Sequence, residues 1–354
     1  MKDFLTIIIP VYKIKEIYLR ECIDSIIKQN HQGCRVLLID DGSPDDCGKI
    51  CDEYARNNNF IEAIHQENKG VSVARNLGLE NTSTKWVAFV DADDWLSSDY
   101  INGLKNLLNK KESEHADIVM FDYVREFKNH RNKESLAISN GFLNEEHLNE
   151  CRKALFYKLM QNNAYNPYTV IGLWDKVYSM DFIKRNQLKF NPAAKKGQDR
   201  LFNAEAINAT SSIYYVNKEY YHYRCWEESR TNRFDPNIIN LTKIEIMSLQ
   251  ATLRKYALEN KYQDELNARI CTRLYTCMRL YYFNPLNEKK YKEIKKEIID
   301  LVDSEPFSSA LKSVQLKCLT FPEKIFVECI RLNWIGLLSI MVKIKSGLTK
   351  RKLA

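Results

Sequence analysis

The chain has 354 residues, 45% of them apolar, with only 11 glycines and 8 prolines. This composition excludes collagen-like, low-complexity and disordered proteins, because so long and apolar a chain can bury one large core or two smaller ones. The net charge of +7 is concentrated in residues 239–354, and the region before them is slightly acidic. We therefore predict no nucleic-acid partner for the first two thirds, and a basic final third that suits an anionic surface.

The N-terminal residues run from Met1-Lys2-Asp3 directly into an apolar, strand-like segment, without the pattern of a secretory signal. No apolar stretch reaches the ~18 residues that a membrane-spanning helix needs. The ten cysteines are scattered without a CxxC pair, as is typical of free thiols in a reducing compartment. The sequence therefore predicts a cytoplasmic protein, with peripheral attachment to the inner face of the cell membrane as an open possibility.

Apolar runs alternate with amphipathic segments over the first 125 residues. The pattern predicts strands at Leu5–Ile9, Arg35–Ile39, Ile61–His65, Trp86–Val90 and Asp117–Val124. Between them, apolar spacing near 3.6 predicts helices at Ile17–Gln29, Cys47–Asn57, Val71–Glu80 and Tyr100–Asn109. This βαβα order predicts an α/β fold, a mostly parallel sheet with helices on both faces that binds ligands at the carboxyl ends of its strands.

The second half of the chain has a different pattern of apolar residues. Residues 125–133 are predicted as a solvated loop before a helix near Glu145–Gln161, and strand-like pieces follow at Ser212–Val216 and Glu219–Arg224. Beyond Pro236 the pattern is helical throughout, in segments predicted at Ile238–Asn260, Gln263–Phe283, Glu288–Val302, Ser309–Cys318 and Pro322–Ile344. We therefore predict an α/β domain over residues 1–225 and a helical C-terminal region over 226–354.

Acidic residues follow two of the predicted strands. Asp40-Asp41-Gly42-Ser43 ends the second strand, and Asp91-Ala92-Asp93-Asp94 ends the fourth. Carboxylates at the ends of buried strands are costly unless a cation or a hydrogen-bonding ligand compensates them, and a hard divalent cation shared with a phosphate group would do so. The alternative is that these residues only form a turn and a helix cap.

Four segments, in this order and spacing, resemble the catalytic domain of glycosyltransferase family 2. They are Thr6–Tyr12, Asp40–Ser43, Asn68–Asn76 and Val90–Trp95. The resemblance covers about residues 3–225 and implies a GT-A fold, a Rossmann-like mostly parallel sheet that binds a nucleotide-sugar. It assigns no motif to the C-terminal helices.

The resemblance also implies a donor site for a UDP-sugar. Pro10, Val11 and Tyr12 would line the base pocket, and Asp40 or Asp41 would accept from the uracil or ribose. The Asp-x-Asp element would place Asp91 and Ala92 near the ribose or sugar. Together with Asp91, Asp93 would bind Mn²⁺ or Mg²⁺ that bridges the two phosphates, although the adjacent Asp94 can substitute for Asp93.

A reaction that inverts the anomeric centre needs a base on the acceptor side. The family places it in a Gly-Glu-Asp element, and this chain has Gly197-Gln198-Asp199. The resemblance therefore implies that Asp199 is the catalytic base, with Gln198 replacing the usual Glu. As an alternative, Asp199 is an ordinary first-turn residue that the helix dipole stabilises. Arg75 is predicted to neutralise phosphate.

Further candidate residues for the acceptor or the diphosphate lie later in the chain. Trp174 and Lys176 belong to a segment that the family places beneath the acceptor pocket, although a Trp in an apolar stretch is often plain core. His222 and Arg224 belong to an aromatic stretch that in relatives folds back over the diphosphate.

The C-terminal residues are basic and amphipathic, with apolar residues beside Lys343 and Lys345 and no acid after Glu328. This pattern suits an anionic membrane surface, but a core-packing helix with a basic tail fits it equally.

The sequence thus predicts an inverting, metal-dependent transferase. It would move a hexose or N-acetylhexosamine from a UDP-sugar to a lipid-linked or oligosaccharide acceptor, with an undecaprenyl-diphosphate-linked glycan of an O-antigen or capsule expected. The alternative is a non-catalytic, nucleotide-binding scaffold of a glycan-assembly complex.

Overall fold

The fold was obtained as a computed structural model, which describes residues 3–157, 160–161, 164–165, 170–225 and 233–353. The chain divides into two compact units. The sheet unit comprises residues 1–152 and 167–225, and the helical unit comprises residues 153–166 and 226–354. The segment 153–166 thus groups with the helical unit although it precedes the end of the sheet unit in sequence.

The sheet unit is built on one mixed sheet. Its strands are β1 (Leu5–Val11), β2 (Cys34–Asp40), β3 (Ile61–His65), β4 (Trp86–Phe89), β5 (Trp95–Leu96), β6 (Ile118–Glu126), β7 (Arg131–Glu134), β8 (Gly141–Phe142), β11 (Lys176–Ser179) and β12 (Ile213–Arg224). The order is β3–β2–β1–β4–β11–β6–β12–β5, with β7 beside β6 and β8 beside β12. The first four strands in this order run parallel, whereas β11 pairs antiparallel with both β4 and β6.

Helices connect these strands. They are α1 (Glu16–Ile27), α2 (Cys47–Asn57), α3 (Val71–Glu80), α4 (Tyr100–Leu108), α5 (Glu145–Phe156), α6 (Met180–Arg185) and α7 (Gln198–Asn208), with a 3₁₀ turn at Lys111–Ser113. The order of these elements confirms the predicted α/β fold with a helical C-terminal region.

The helical unit contains a short antiparallel pair, β9 (Met160–Gln161) with β10 (Ala164–Tyr165). Its helices are α8 (Ile238–Lys255), α9 (Glu259–Cys277), α10 (Tyr291–Asp303), α11 (Phe307–Ser313), α12 (Phe321–Arg331) and α13 (Ile335–Leu353). A π-helical turn, Met278–Tyr282, continues α9, and a 3₁₀ turn, Leu316–Cys318, precedes α12. A capping box between Thr320 and Glu323 starts α12, which satisfies backbone donors that the first turn leaves open.

Both faces of the central strands β1 and β4 are buried, so these two strands are apolar at nearly every position rather than at alternate ones. Leu5, Ile7 and Ile9 belong to one core cluster with residues of α1, α2 and α4. The intervening Ile8 faces α3, where a Cβ on Gly78 would lie only 2.5 Å from Ile8 Cγ2. Glycine at position 78 therefore lets α3 approach β1 closely.

Three features of the sheet unit differ from the predictions. The predicted loop at 125–133 is instead a hairpin, in which β6 extends to Glu126 and pairs with the exposed strand β7. The two predicted strand pieces at 212–224 form the single strand β12, with irregular pairing between Val216 and Tyr221. The sequence analysis also missed β11, a four-residue strand whose pairing partners are distant in sequence.

Helix boundaries also differ from the predictions. The helix expected at Pro322–Ile344 is two helices, separated by a turn in which Asn333 has a left-handed φ of 57°. The helix expected at Glu145–Gln161 ends at Phe156. Residues 158–159 lie outside the described residues, and 160–161 belong to β9.

We predict that Gly78→Ala destabilises the protein, because the added methyl group overlaps the Ile8 side chain against a buried strand. The expected loss is about 1–3 kcal/mol in the free energy of unfolding, measured by urea denaturation. Gly336→Ala is the matched control, since its Cβ would approach only Tyr291 Oη, at 3.6 Å. Equal stability of the two variants would contradict the packing described for α3.

Candidate active site

The carboxyl ends of three parallel strands meet at one edge of the sheet. β1 ends at Val11, which is in register with Asp40 at the end of β2, and Val90–Asp94 follow β4 directly. The backbone N–H of Asp41 donates to the Val11 carbonyl at 2.9 Å. The side chain of Val11 is fully buried in the core, so this residue contributes to the site through its backbone, whereas Pro10 and Tyr12 are partly exposed there.

Both carboxylates of the Asp-Asp pair are buried and accept hydrogen bonds from the protein. Asp41 accepts from Gln66 Nε2 at 2.6 Å, and from the backbone N–H groups of Lys69 at 2.8 Å and Gly70 at 2.9 Å. Gly70 has a φ of 92° and starts α3, a backbone conformation that favours glycine. Asp41 therefore holds the loop before α3, a role that the sequence analysis did not foresee when it proposed uridine contacts.

Asp40 lies in a chain of polar contacts with α2 and β3. Its Oδ1 accepts from the Ser43 N–H at 3.0 Å, and its Oδ2 lies 3.0 Å from His65 Nδ1. The other ring nitrogen of His65 lies 2.9 Å from Asp52 Oδ1. These two carboxylates raise the pKa of His65 above its ordinary value of 6.5, because both stabilise the charged imidazolium.

The residues Asp91–Asp94, which follow β4 and Val90, divide into buried and partly exposed positions. Asp94 is buried, and its carboxylate accepts from Tyr221 Oη at 2.6 Å and from the Arg224 N–H at 2.7 Å. Burial, with the nearby Asp93 and Asp91 charges, raises the pKa of Asp94 well above its ordinary value. Ala92 is also buried, whereas Asp91 and Asp93 are partly exposed. Asp94 is thus committed to bonds within the protein.

A buried guanidinium joins two of the predicted site residues. Arg75 donates from Nη2 to Asp91 Oδ1 at 2.9 Å and from Nη1 to Asp199 Oδ1 at 2.5 Å. Its side chain is 3% exposed and lies over the Phe190 ring, 5.4 Å from the centroid. Burial raises the pKa of Asp91 to about 6, and the Arg75 charge opposes this shift.

The fold brings Asp199 to the carboxyl end of β4 from more than 100 residues away. Gly197, in a left-handed conformation, precedes α7, and Asp199 lies in the first turn of that helix. The carboxyl group is 26% exposed, so it contacts Arg75 and still faces solvent. The neighbouring Gln198 has a buried Oε1 without a hydrogen-bond partner among the described residues.

The two residues predicted beneath the acceptor pocket have different surroundings. Trp174 is partly exposed and stacks on Tyr221 and Tyr223, with ring centroids 4.9 and 5.3 Å away. Lys176 is fully buried and donates to Asp175 Oδ1 at 2.6 Å and to the Gly172 carbonyl at 2.7 Å. The expectation that Lys176 contacts the acceptor or the diphosphate is therefore wrong, because its ammonium group is enclosed in a core ion pair.

The predicted diphosphate residues lie on β12, next to the residues that follow β4. The His222 ring stacks on Trp95 at 5.1 Å, and its nitrogens contact Glu126 and Ser97. Arg224 donates from Nε to the Asp93 carbonyl at 2.8 Å and pairs with Glu21 at 2.5 Å. Arg224 therefore fixes the backbone of Asp93, and its guanidinium also covers the Trp95 ring at 4.3 Å.

Sequence reasoning missed Tyr221 as a site residue. Its hydroxyl accepts from the Asp91 N–H at 3.1 Å and donates to the Asp94 carboxylate. It thereby supports the turn that carries Asp91 and Asp93. The aromatic run of residues 220–223 was the available signal, but periodicity alone does not tell which ring of such a run points inward.

The partly exposed carboxylates suit a hard divalent cation, which favours oxygen ligands and binds through one or two carboxylates together with substrate phosphates. Among the described residues, Asp91 Oδ2 accepts no hydrogen bond, so it remains open to such a ligand. No group of three or more His, Cys, Asp or Glu side chains that could hold a metal by themselves occurs in the described part of the chain. The donor set thus fits a cation whose coordination a diphosphate completes.

Comparison with known proteins identifies the family of this chain. The family model described as glycosyl transferase family 2 matches residues 6–208, which include all four motifs and Asp199. The chain therefore belongs to glycosyl transferase family 2, and the predicted resemblance is confirmed.

Curated relatives are bacterial glycosyltransferases. Glycosyltransferase GlyA of Streptococcus pneumoniae is 33% identical over 63% of this chain, a match that spans only 30% of GlyA. Putative glycosyltransferase EpsH of Bacillus subtilis is 26% identical over 77% of this chain and 76% of its own length. The minor teichoic acid biosynthesis protein GgaB of the same organism is 26% identical over 86% of this chain and 33% of its own length.

Solved structures share the fold. The crystal structure of Staphylococcus aureus TarS 1–349 in complex with UDP-GlcNAc has a TM-score of 0.65 at 16% identity, and covers 98% of this chain and 92% of that chain. Within the part of this chain that the structure describes, no helix is both long and apolar enough to cross a membrane.

We predict energetic coupling between Arg75 and Asp199. Arg75→Met leaves Asp91 and Asp199 without their shared cation, and loss of one partner of a buried ion pair costs about 3–5 kcal/mol. In a double-mutant cycle with Asp199→Asn, urea denaturation should give a coupling energy of about 0.5–3 kcal/mol. The cycle of Arg75→Met with the exposed Asp181→Asn is the control and should be additive. Additivity in both cycles would contradict the ion pair.

We also predict that the charge of His65 contributes stability in a defined pH range. Because folding raises the pKa of His65 above 6.5, the contribution is complete below pH 6.5 and is lost as the pH rises through the raised value. An NMR titration should place the His65 pKa above 6.5, and Asp52→Asn should lower it. In His65→Gln, the stability should fall less steeply with pH over this range. A wild-type pKa at or below 6.5 would contradict the contacts with Asp40 and Asp52.

Proposed function

We propose that this protein transfers a hexose or N-acetylhexosamine from a UDP-sugar to a glycan acceptor, with inversion at the anomeric carbon. The observation that carries the proposal is the Arg75 bridge, which holds Asp199 beside Asp91 at the carboxyl end of β4. A donor-side carboxylate and an acceptor-side carboxylate are thereby fixed at one edge of the sheet, as a single displacement requires.

The donor pocket lies at the ends of β1 and β2. Pro10 and Tyr12 offer partly exposed apolar and aromatic surface for the uracil ring, and Asp40 lies beside them in the sheet register. Asp41 shapes the pocket because it fixes the loop before α3. This role is additional to a contact with the nucleotide. The TarS complex with UDP-GlcNAc supports a uridine nucleotide in this fold, although its 16% identity leaves the sugar of this chain open.

Asp199 is the proposed base. The acceptor hydroxyl oxygen forms a bond to the anomeric carbon as the bond from that carbon to the diphosphate oxygen breaks. The hydroxyl proton passes to the Asp199 carboxylate, and UDP departs with the electron pair. Arg75 holds the Asp199 carboxylate in place to accept this proton and shares its own charge with Asp91. A single displacement of this kind inverts the anomeric configuration.

Mn²⁺ or Mg²⁺ is the proposed cofactor, and Asp91 and Asp93 would hold it. When bound, such a cation stabilises the negative charge that develops on the departing diphosphate. Arg224 contributes by fixing the Asp93 backbone through the carbonyl contact. Tyr221 fixes the Asp91 backbone in the same way.

The acceptor is proposed to be lipid-linked or an oligosaccharide of a cell-surface polysaccharide, made on the cytoplasmic side. Support comes from GgaB, a minor teichoic acid biosynthesis protein, and from the partial exposure of the Trp174 ring, whose accessible part can contact a sugar. Trp174→Ala should therefore weaken acceptor binding more than UDP binding.

The test is release of UDP from a panel of UDP- and GDP-sugars, with Mn²⁺ and with a chelator. We expect metal-dependent release from one UDP-sugar, lowered ~10²-fold or more in Asp93→Asn, which loses a charge at the diphosphate. Asp199→Asn should lower release while UDP affinity, measured by calorimetry, stays within about threefold of wild type.

Asp46→Asn is the matched control, because Asp46 is exposed and pairs with Lys49 on the surface. It should release UDP at the wild-type rate. Metal-dependent UDP binding without release, even with lipid-linked acceptors, would favour the nucleotide-binding scaffold. Undiminished release in Asp93→Asn with chelator would overturn the proposed mechanism.

A further inference from the structure

Helix α13 has two apolar faces. Three of its side chains are buried in the helical unit, and three others, on the opposite side, are 42 to 59% exposed. The buried set is Ile335, Leu338 and Val342, and the exposed set is Leu337, Ile340 and Ile344. A helix that packs against its own unit through one face needs no second apolar face for folding.

The exposed face continues into the turn before the helix. Leu332 and Trp334 in this turn are 52% and 56% exposed, and the left-handed Asn333 reverses the chain between them. We name Leu332, Trp334, Leu337, Ile340 and Ile344 the apolar ridge. A Trp at the edge of an apolar surface is typical of proteins that lie at a membrane interface. There the apolar part of the ring contacts lipid and its polar N–H faces water.

The charged residues that follow Glu328 in the sequence are all positive. Lys343 is exposed and precedes Ile344 directly. The sequence contains no Asp or Glu after Glu328, and it adds Lys345, Lys350, Arg351 and Lys352 beyond the ridge. Glu328 itself pairs with Arg331 at 2.7 Å. The ridge therefore combines exposed apolar area with a stretch of sequence that is positively charged.

We propose that the apolar ridge is a membrane-binding surface that inserts into the headgroup region of an anionic lipid bilayer. Apolar side chains would enter the boundary between headgroups and acyl chains while the lysines contact lipid phosphates. The purpose of this attachment rests on the proposed function, since it brings the enzyme to a lipid-linked acceptor. Binding itself does not depend on catalysis.

A second copy of the chain fits the ridge less well. A symmetric contact through α13 would bring together two basic segments that have no Asp or Glu after Glu328, and like charges across an interface oppose association. An anionic bilayer removes the same conflict, because it supplies the missing negative charge. Charge complementarity therefore selects the membrane as the occupant.

The test is flotation of the full chain with vesicles of phosphatidylcholine, alone or with about one third phosphatidylglycerol. We expect binding to the anionic vesicles only, weakened as NaCl rises from about 0.1 M to about 0.5 M. Ile340→Asp should weaken binding on the order of 10-fold or more, because it removes an inserted side chain and adds an anion. Lys343→Glu should weaken binding to the anionic vesicles as well.

Met247→Asp is the matched control, because Met247 is a similarly exposed apolar residue on α8 of the same unit. It should bind vesicles as the wild type does. Far-UV circular dichroism and UDP binding, unchanged in both Asp variants, would show that the fold is intact.

Three results would overturn the proposal. They are absence of wild-type binding to anionic vesicles, equal binding by Ile340→Asp, and self-association that Ile340→Asp abolishes in the absence of vesicle binding. Vesicle binding with no UDP release from any donor would instead count against the proposed transferase and leave the membrane surface standing.

Discussion

The buried guanidinium of Arg75 is the interaction on which the geometry of the site depends. Arg75 lies on α3, and its guanidinium contacts Asp91, which follows β4, and Asp199, at the start of α7. A buried charge is costly unless it is paired, so the folded chain must bring these three elements together. The next residue, Asn76, reinforces the same junction through two hydrogen bonds to the backbone of Phe190. One side chain thereby sets the distance between the donor and acceptor sides of the proposed reaction.

The acidic residues at the carboxyl ends of the strands have different roles. Asp41 and Asp94 accept hydrogen bonds from loops and from β12, and these bonds shape the pocket. Asp91 and Asp93 retain partial exposure, which a cation or a diphosphate requires. A cluster of carboxylates is tolerable in this arrangement because Asp41, Asp91 and Asp94 are neutralised or hydrogen-bonded within the protein.

The burial of apolar residues differs between the helical unit and the sheet unit. In the central strands β1 and β4 of the sheet unit, the apolar side chains are buried on both faces, so apolar content and burial agree there. In α13 they disagree, since one apolar face is buried and the other is exposed beside lysines. The sequence left two interpretations of the C-terminal helix open, a membrane surface and a helix packed in the core. In the structure, α13 has one buried and one exposed apolar face.

Local patterns sufficed for much of the architecture. Apart from the two-residue strand β5, which was missed, the elements from β1 to α4 were predicted to within two residues at each end, because apolar periodicity and the turns around Asp40 and Asp91 are encoded within short windows. The family followed from four such windows. Tertiary structure alone decided the insertion of β11 between β4 and β6, the burial of Lys176 and the pairing of Arg75 with Asp199. Each of these depends on contacts between residues that are distant in sequence, and a periodic pattern carries no information about which distant segment supplies the partner.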